Sequence, residues 1–353
     1  MSQTVMITGA SAGIGRATAQ RYARRGARLG LIARGEAGLA AAAAECRELG
    51  AEAVATYQVD VADAAAVERA GDDLARRNGG LDVWINNAMV SVFAPTWEIS
   101  ADEFRRVTEV NYLGTVHGTL AALRQMRPAG IGTIVQVGSA LAYRGIPLQS
   151  AYCASKHAIQ GFNDSLRAEL LQASPEIKLS MVQLPAVNTP QFSWVRTHLP
   201  RHPQPVPPIF QPEVAAQAIC WAADKGPREV NVGGPTLRAR LADVLAPGLL
   251  DRFLALRQVG FDSQQTAEVI DRSSWRDNVD APADADVDHG AHGVFDDTAH
   301  RRSLALWAVT HKQTATALLA AGLGVAQALV RAGSGRVRTA ASAPGGRMRG
   351  AQA

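Results

Sequence analysis

The sequence predicts an α/β fold built on a doubly wound parallel sheet, and three observations carry the prediction. Short apolar runs alternate with helical stretches from Thr4 to Val232, the pattern of parallel crossovers. The first run opens into a glycine-rich turn and then a helix. Runs such as Gly132-Thr133-Ile134-Val135-Gln136-Val137 lack in–out alternation, as strands covered on both faces do.

In order, the candidate strands are Thr4–Ile7, Arg28–Ala33, Ala53–Val59, Val83–Asn86, Gly132–Val137, Lys178–Gln183 and Glu229–Val232. Helical stretches lie between them at Ile14–Arg25, Leu39–Leu49, Ala64–Arg77, Ala101–Met126, Ala151–Leu171 and Pro212–Ala223. Pro185 to Pro212 is crowded with prolines, which deny backbone donors and break helices. A long irregular segment is expected there. It follows a strand end, where α/β sheets place their ligands.

Beyond Ala223 the character changes. Leu237–Leu256 reads as helix interrupted at Ala246-Pro247-Gly248. Asp277 to Asp297 holds seven aspartates and no lysine or arginine, which predicts a disordered acidic linker. His289 and His292 within it have no rigid frame that would make them metal ligands. The expected organisation is a catalytic domain over 1–262, an acidic linker over 263–302, a helix over 303–332 and a basic disordered tail over 333–353. Gln313 to Val330 carries no formal charge and is only mildly apolar, which suits a membrane-surface or partner-packing helix better than a true span.

The chain of 353 residues is 47% hydrophobic, enough for a substantial core. Its net charge of +4 is matched by the four tail arginines, Arg336, Arg338, Arg347 and Arg349. The rest is balanced, which argues against a nucleic-acid-binding face. Cys46, Cys153 and Cys220 are too scattered for a disulfide framework or a metal cluster. With Thr4-Val5-Met6-Ile7 entering the fold directly and no basic leader, a reducing, cytoplasmic setting is expected.

The turn Thr8-Gly9-Ala10-Ser11-Ala12-Gly13-Ile14-Gly15 would let a pyrophosphate approach the backbone at a helix amino terminus. At the end of the second strand Ala33 stands where an acidic residue would grip a ribose hydroxyl. Arg34 follows it and Arg16 lies just past the turn. Two guanidinium groups there favour a 2′-phosphate, so NADP(H) is expected over NAD(H), with Glu36 as a competing charge. Tyr152 and Lys156 lie four apart on one helix face. An ammonium beside a phenol favours the phenolate, so Tyr152 is expected to titrate below its ordinary range and serve as a general acid/base.

These motifs, in this order, resemble the short-chain dehydrogenase/reductase family in its compact single-domain branch, over about Thr4 to Val232. The resemblance implies a Rossmann-type sheet of seven strands in the order 3-2-1-4-5-6-7, with a helical carboxyl-terminal extension. It implies that Thr8, Gly9, Ser11, Gly13, Ile14 and Gly15 form the cofactor turn. Asp60 and Val61 match the pair that holds the adenine. Asn86-Asn87-Ala88 matches the motif that steadies the sheet beside the cofactor. Asn111, Ser139, Tyr152 and Lys156 match the catalytic tetrad, with Tyr152 and Lys156 also meeting the cofactor. Pro185, Val187 and Thr189 match the segment after the sixth strand that meets the nicotinamide. Met89 stands where the family has glycine, and Pro185-Ala186 replaces a Pro-Gly pair.

The expected activity is NADP(H)-dependent oxidoreduction of a small-molecule alcohol or ketone, with no metal. Phe93, Trp97, Phe192 and Trp194 are candidates for an apolar substrate pocket or for lid and core packing. The resemblance further implies a homodimer or homotetramer. Two alternatives stay open: a non-catalytic nucleotide-sensing or scaffolding module, and a membrane-tethered lipid-modifying reductase.

Overall fold

Strand β1 (Thr4–Thr8) is buried along its whole length, as an unbroken apolar run requires when both sheet faces are covered. It lies at the middle of a seven-stranded parallel sheet with β2 (Arg28–Ala33), β3 (Ala53–Gln58), β4 (Val83–Asn86), β5 (Gly132–Val137), β6 (Ile177–Gln183) and β7 (Glu229–Asn231). The order is 3-2-1-4-5-6-7. β1 pairs with β2 on one side, Thr4 opposite Arg28, and with β4 on the other, Val5 opposite Val83. The chain reverses direction across the sheet at this point, which opens a crevice at the carboxyl ends of β1 and β4. The computed structural model describes residues 2–317.

The covering helices are α1 (Gly13–Ala23), α2 (Glu36–Glu48), α3 (Ala64–Asn78), α4 (Ala101–Val107), α5 (Gly114–Ala129), α6 (Ser150–Ala173) and α7 (Pro212–Lys225). Their ends follow local chemistry. Asp63 caps α3 by accepting from the Ala66 N–H at 3.0 Å, and Gly79 ends it in the left-handed region. Ser100 and Glu103 form a capping box at the start of α4. Helices α8 (Gly234–Leu245) and α9 (Pro247–Leu254) meet at the expected Ala246-Pro247 break.

Two expectations need correction. The stretch 101–126 is not one helix. A π-helical turn over Thr108–Leu113 separates α4 from α5. There is no room for Cβ at Gly114, which lies hard against Val61. Thr108 and Thr115 each bond the carbonyl four residues back. Such single π turns recur at functional sites.

The acidic stretch is not a free linker. Residues up to Leu306 form one unit and those from Trp307 another. Gln265–Val269 pairs antiparallel with Arg201–Pro203 in the proline-rich region. Val279 is fully buried in the main core, and Asp284 is buried. Local composition predicts disorder because the aspartates repel one another. The fold supplies the missing counter-charges from afar, Arg196 to Asp277 and Asp280, and Arg16 to Asp288. The assignments over 318–332 and 333–353 lie outside the described residues. Among the described residues no helix is long and apolar enough to cross a membrane.

Candidate active site

The glycine turn is pinned to the end of β4. Thr8 Oγ1 accepts from the N–H groups of Asn87 and Ala88, at 2.9 and 3.1 Å, and Asn87 Nδ2 donates back to the Thr8 and Gly9 carbonyls. Gly9 has φ +65°, and a Cβ there would lie 2.8 Å from Ala88 Cα. Gly13, at φ +56°, faces Thr189. Side chains are excluded from both positions, so a ligand can approach the backbone closely, although the Gly13 N–H itself donates to the Gly290 carbonyl at 3.1 Å.

The cleft over this turn is lined by Ser11, Ile14, Arg34, Asp60, Val61 and Ala88, and by Thr189 on the far wall. Burial alone would raise the Asp60 carboxyl. The Ala62 N–H and the Arg106 and Arg34 guanidinium groups outweigh it and hold Asp60 below the ordinary carboxylate value. These residues fit a dinucleotide: bare backbone for the pyrophosphate, apolar walls, and a carboxylate at the adenine end.

The structure corrects the two-arginine expectation. Arg16 is buried beneath the cleft, paired with Glu45 at 2.7 Å and Asp288 at 2.6 Å. Its place on α1 aims it at α2, not at a ligand. Arg34 does line the cleft, but it donates to the Val279 and Asp280 carbonyls at 3.0 and 3.3 Å, and to Asn278 O. Glu36 is exposed.

Ser139, Tyr152 and Lys156 line one cavity of about 290 Å³ together with Pro185, Val187 and Thr189. β5 ends at Val137, and Ser139 follows it. Its Oγ accepts from the Leu141 N–H at 3.2 Å and so caps the turn that starts there. Lys156 Nζ donates to the Val137 carbonyl at 2.8 Å and sits 5.6 Å from the centre of the Tyr152 ring. Ile14, Asn87, Met89 and Thr189 border both this cavity and the glycine-turn cleft, so the two are continuous.

Asn111 sits in the π turn, apart from the cavity wall. Its side chain accepts from the Val90 N–H at 2.8 Å and donates to Val90 O and to Ser155 Oγ at 3.0 Å. Val90 and Ser155, which sequence reasoning missed, thus tie the π turn to α6 and to the loop after β4. No local motif marks them.

The titration expected of Tyr152 is also corrected. Burial pushes its phenol up to about 12, and the hydrogen bond with Ser139 works the other way. Burial pulls Lys156 down to about 8. Burial shifts both groups toward their neutral forms, because the dry cavity penalises either charge, while the Val137 carbonyl receives the Lys156 ammonium.

The aromatics divide. Phe192 borders the reactive cavity and Trp194 the glycine-turn cleft. Phe93 is buried and meets Phe192 edge-on at 6.2 Å. Trp97 is 84% exposed, which removes it from any pocket. Prolines 205, 207 and 208 form part of the cavity wall, as the position of their loop suggested. Cys153 is buried with its thiol pushed up by burial, a packing residue. His292 is held between Glu213 and Asp296, and His289 packs on Trp194.

The family model for short chain dehydrogenases matches residues 3–199. The chain belongs to the short-chain dehydrogenase family. It is therefore an oxidoreductase by descent. It is 31% identical over 254 residues to the uncharacterized oxidoreductase YxnA of Bacillus subtilis (strain 168), covering 71% of each chain. It is 32% identical over 251 residues to the oxidoreductase SadH of Mycobacterium tuberculosis, named as such provisionally, covering 69% of this chain and 90% of that one. Among solved structures it is similar to an alcohol dehydrogenase from the archaeon Thermococcus sibiricus complexed with 5-hydroxy-NADP. The identity is 28% and the TM-score 0.56, over 65% of this chain and 96% of that one. Strands β1 to β6 and the cavity residues Ser139, Tyr152 and Lys156 lie within the residues that the family model matches.

Proposed function

We propose that this short-chain dehydrogenase is an NADP(H)-dependent oxidoreductase acting on an alcohol or carbonyl group, with Tyr152 as general acid/base. The observation that carries the reading is the continuity of the cavity bearing Ser139, Tyr152 and Lys156 with the cleft over the glycine turn. The NADP complex of the archaeal alcohol dehydrogenase supports the choice of coenzyme. Arg34 at the end of β2 is the residue assigned to the 2′-phosphate.

In the proposed mechanism, Ser11, Gly13 and Ile14 present the pyrophosphate site, and Asp60 with Val61 borders the adenine. Thr189, Pro185 and Val187 would hold the nicotinamide end, with Asn87 and Ala88 lining the same cleft. The coenzyme, when bound, supplies or takes the hydride. Ser139 Oγ orients the substrate oxygen beside Tyr152. In reduction the Tyr152 O–H gives its proton to the oxygen that gains charge; in oxidation it takes one. A phenol held up to about 12 keeps its proton until that charge develops, which suits the acid role. Lys156, poised near 8, can pass a proton to it across the cavity. Asn111 holds the π turn against Val90 and Ser155 and so fixes the rear of the site. Leu141, Ile146, Phe192 and Val206 make the substrate end apolar, which fits a lipophilic carbonyl.

The test is a panel of aldehydes and ketones with NADPH oxidation followed at its absorbance band. Turnover abolished by Tyr152→Phe with NADPH binding retained supports the reading. Equal turnover in the variant rejects it.

A further inference from the structure

The acidic stretch crosses the coenzyme cleft, and its contacts are specific. Asn278 and Asp284 border the cleft directly. The Asp284 and Ala285 carbonyls accept from the Gly38 and Ala37 N–H groups at 3.1 and 3.0 Å, at the start of α2. The Asp284 side chain presses against Gly35 and Gly38, where any Cβ would collide with its carboxylate. Further along, the Gly290 carbonyl accepts from the Gly13 N–H of the glycine turn at 3.1 Å. Meanwhile three carbonyls of the same strap take up the Arg34 guanidinium.

The end of β2 is where a dinucleotide fold reads the adenosine ribose: a carboxylate there accepts from the 2′-hydroxyl, and an arginine there accommodates a 2′-phosphate. Ala33 provides no carboxylate. The strap does, through Asp284, while its carbonyls occupy the arginine that a phosphate would need. We propose that the strap is a gate on the coenzyme site, with Asp284 as its specificity-determining residue: the closed strap disfavours the 2′-phosphate, and NADP(H) binds by displacing Asp284 and recovering Arg34. This rests on the reading of the cleft as a dinucleotide site.

The gate makes opposite demands on two coenzymes that differ by one phosphate. The phosphate brings about two negative charges against a carboxylate already in place. NADH brings a hydroxyl that the closed strap can accept. Strap closure and NADP(H) binding therefore compete for Arg34, which NADH does not need, whereas both coenzymes meet the strap alike at the Gly13 N–H.

The test is equilibrium binding of NADPH and NADH to the full chain by nucleotide fluorescence, which needs no substrate. Asp284→Asn removes the charge. Gly35→Ala leaves the charge but denies the strap its seat; Gly35 has φ −80°, which alanine adopts freely. Both variants are expected to raise the NADPH/NADH affinity ratio by about tenfold or more, the scale of one like-charge contact near a protein surface. In the natural chain NADPH is expected to expose the 277–297 strap to limited proteolysis more than NADH does. An affinity ratio unmoved in Asp284→Asn overturns the gate; that variant decides alone if Gly35→Ala does not fold. Failure of both coenzymes to bind any of the three proteins overturns the dinucleotide reading itself, a different outcome from an unchanged ratio.

Discussion

Replacing Lys156 with methionine should leave the protein at least as stable while disabling it. Lys156 is 4% exposed, and burial pulls its pKa from 10.5 down to about 8. A fall of that size costs the native state about 3 kcal/mol at pH 7, since each unit is worth about 1.4 kcal/mol. Against this stands the bond to Val137 O at 2.8 Å, worth about 1.5–3 kcal/mol as a charge-assisted contact. Methionine matches the stem and carries no charge. Lys156→Met is therefore expected to range from neutral to about 1.5 kcal/mol more stable at pH 7, the difference of those two terms.

The pH dependence separates this from simple packing. The folded-state pKa lies below the unfolded one, so between about pH 8 and 10.5 the unfolded chain binds more protons than the native. Stability contributed by this group therefore rises with pH across that window. Wild type should gain on Lys156→Met by about 2 kcal/mol between pH 7 and pH 10, with other titrating groups cancelling in the difference. The assay is urea unfolding of both proteins at the two pH values. A stability difference that stays constant with pH refutes the buried ammonium.

Ser139→Ala should lower kcat by about a hundredfold, with coenzyme affinity unchanged, if its hydroxyl orients the reacting oxygen; steady-state kinetics reads it. Arg34→Ala should raise the KM for NADPH about tenfold or more and leave that for NADH nearly unmoved, since only one coenzyme carries the phosphate. Asn86 accepts from Trp84 Nε1 at 2.8 Å and donates to Thr119 and Gln136, all buried. Asn86→Leu should cost about 2–4 kcal/mol in denaturant unfolding, because it strands several buried polar groups at once.

Most of the sheet was legible because each strand carries its own signal. The runs at Arg28–Ala33, Val83–Asn86 and Gly132–Val137 match the observed strands residue for residue. The reactive cavity was legible for a related reason. Ser139 follows a strand end, and Tyr152 and Lys156 share one helix turn, so local periodicity brings them together. The π turn was not legible, since a single inserted residue leaves the apolar spacing of 101–126 almost unchanged. Nor was the strap, whose order depends on Arg16, Arg34 and Arg196, far away in sequence. The pair Gly35 and Gly38 was the one local trace of it. Two glycines at the start of a helix signal a close neighbour, but they do not say which segment arrives. The titration of Tyr152 was misjudged because a spacing gives the proximity of a lysine but not the dryness of the surroundings.

The strap also bears on how the molecule is made. β1, the glycine turn, β2 and α2 leave the ribosome long before residues 277–297 do, and the domain is expected to assemble from its amino terminus. During that interval the nucleotide crevice exists without its cover, and Gly35 and Gly38 lie bare to solvent. A coenzyme molecule present in the cell then meets an open groove on the nascent chain, and a 2′-phosphate already seated there would hold Arg34 before the last aspartates emerge.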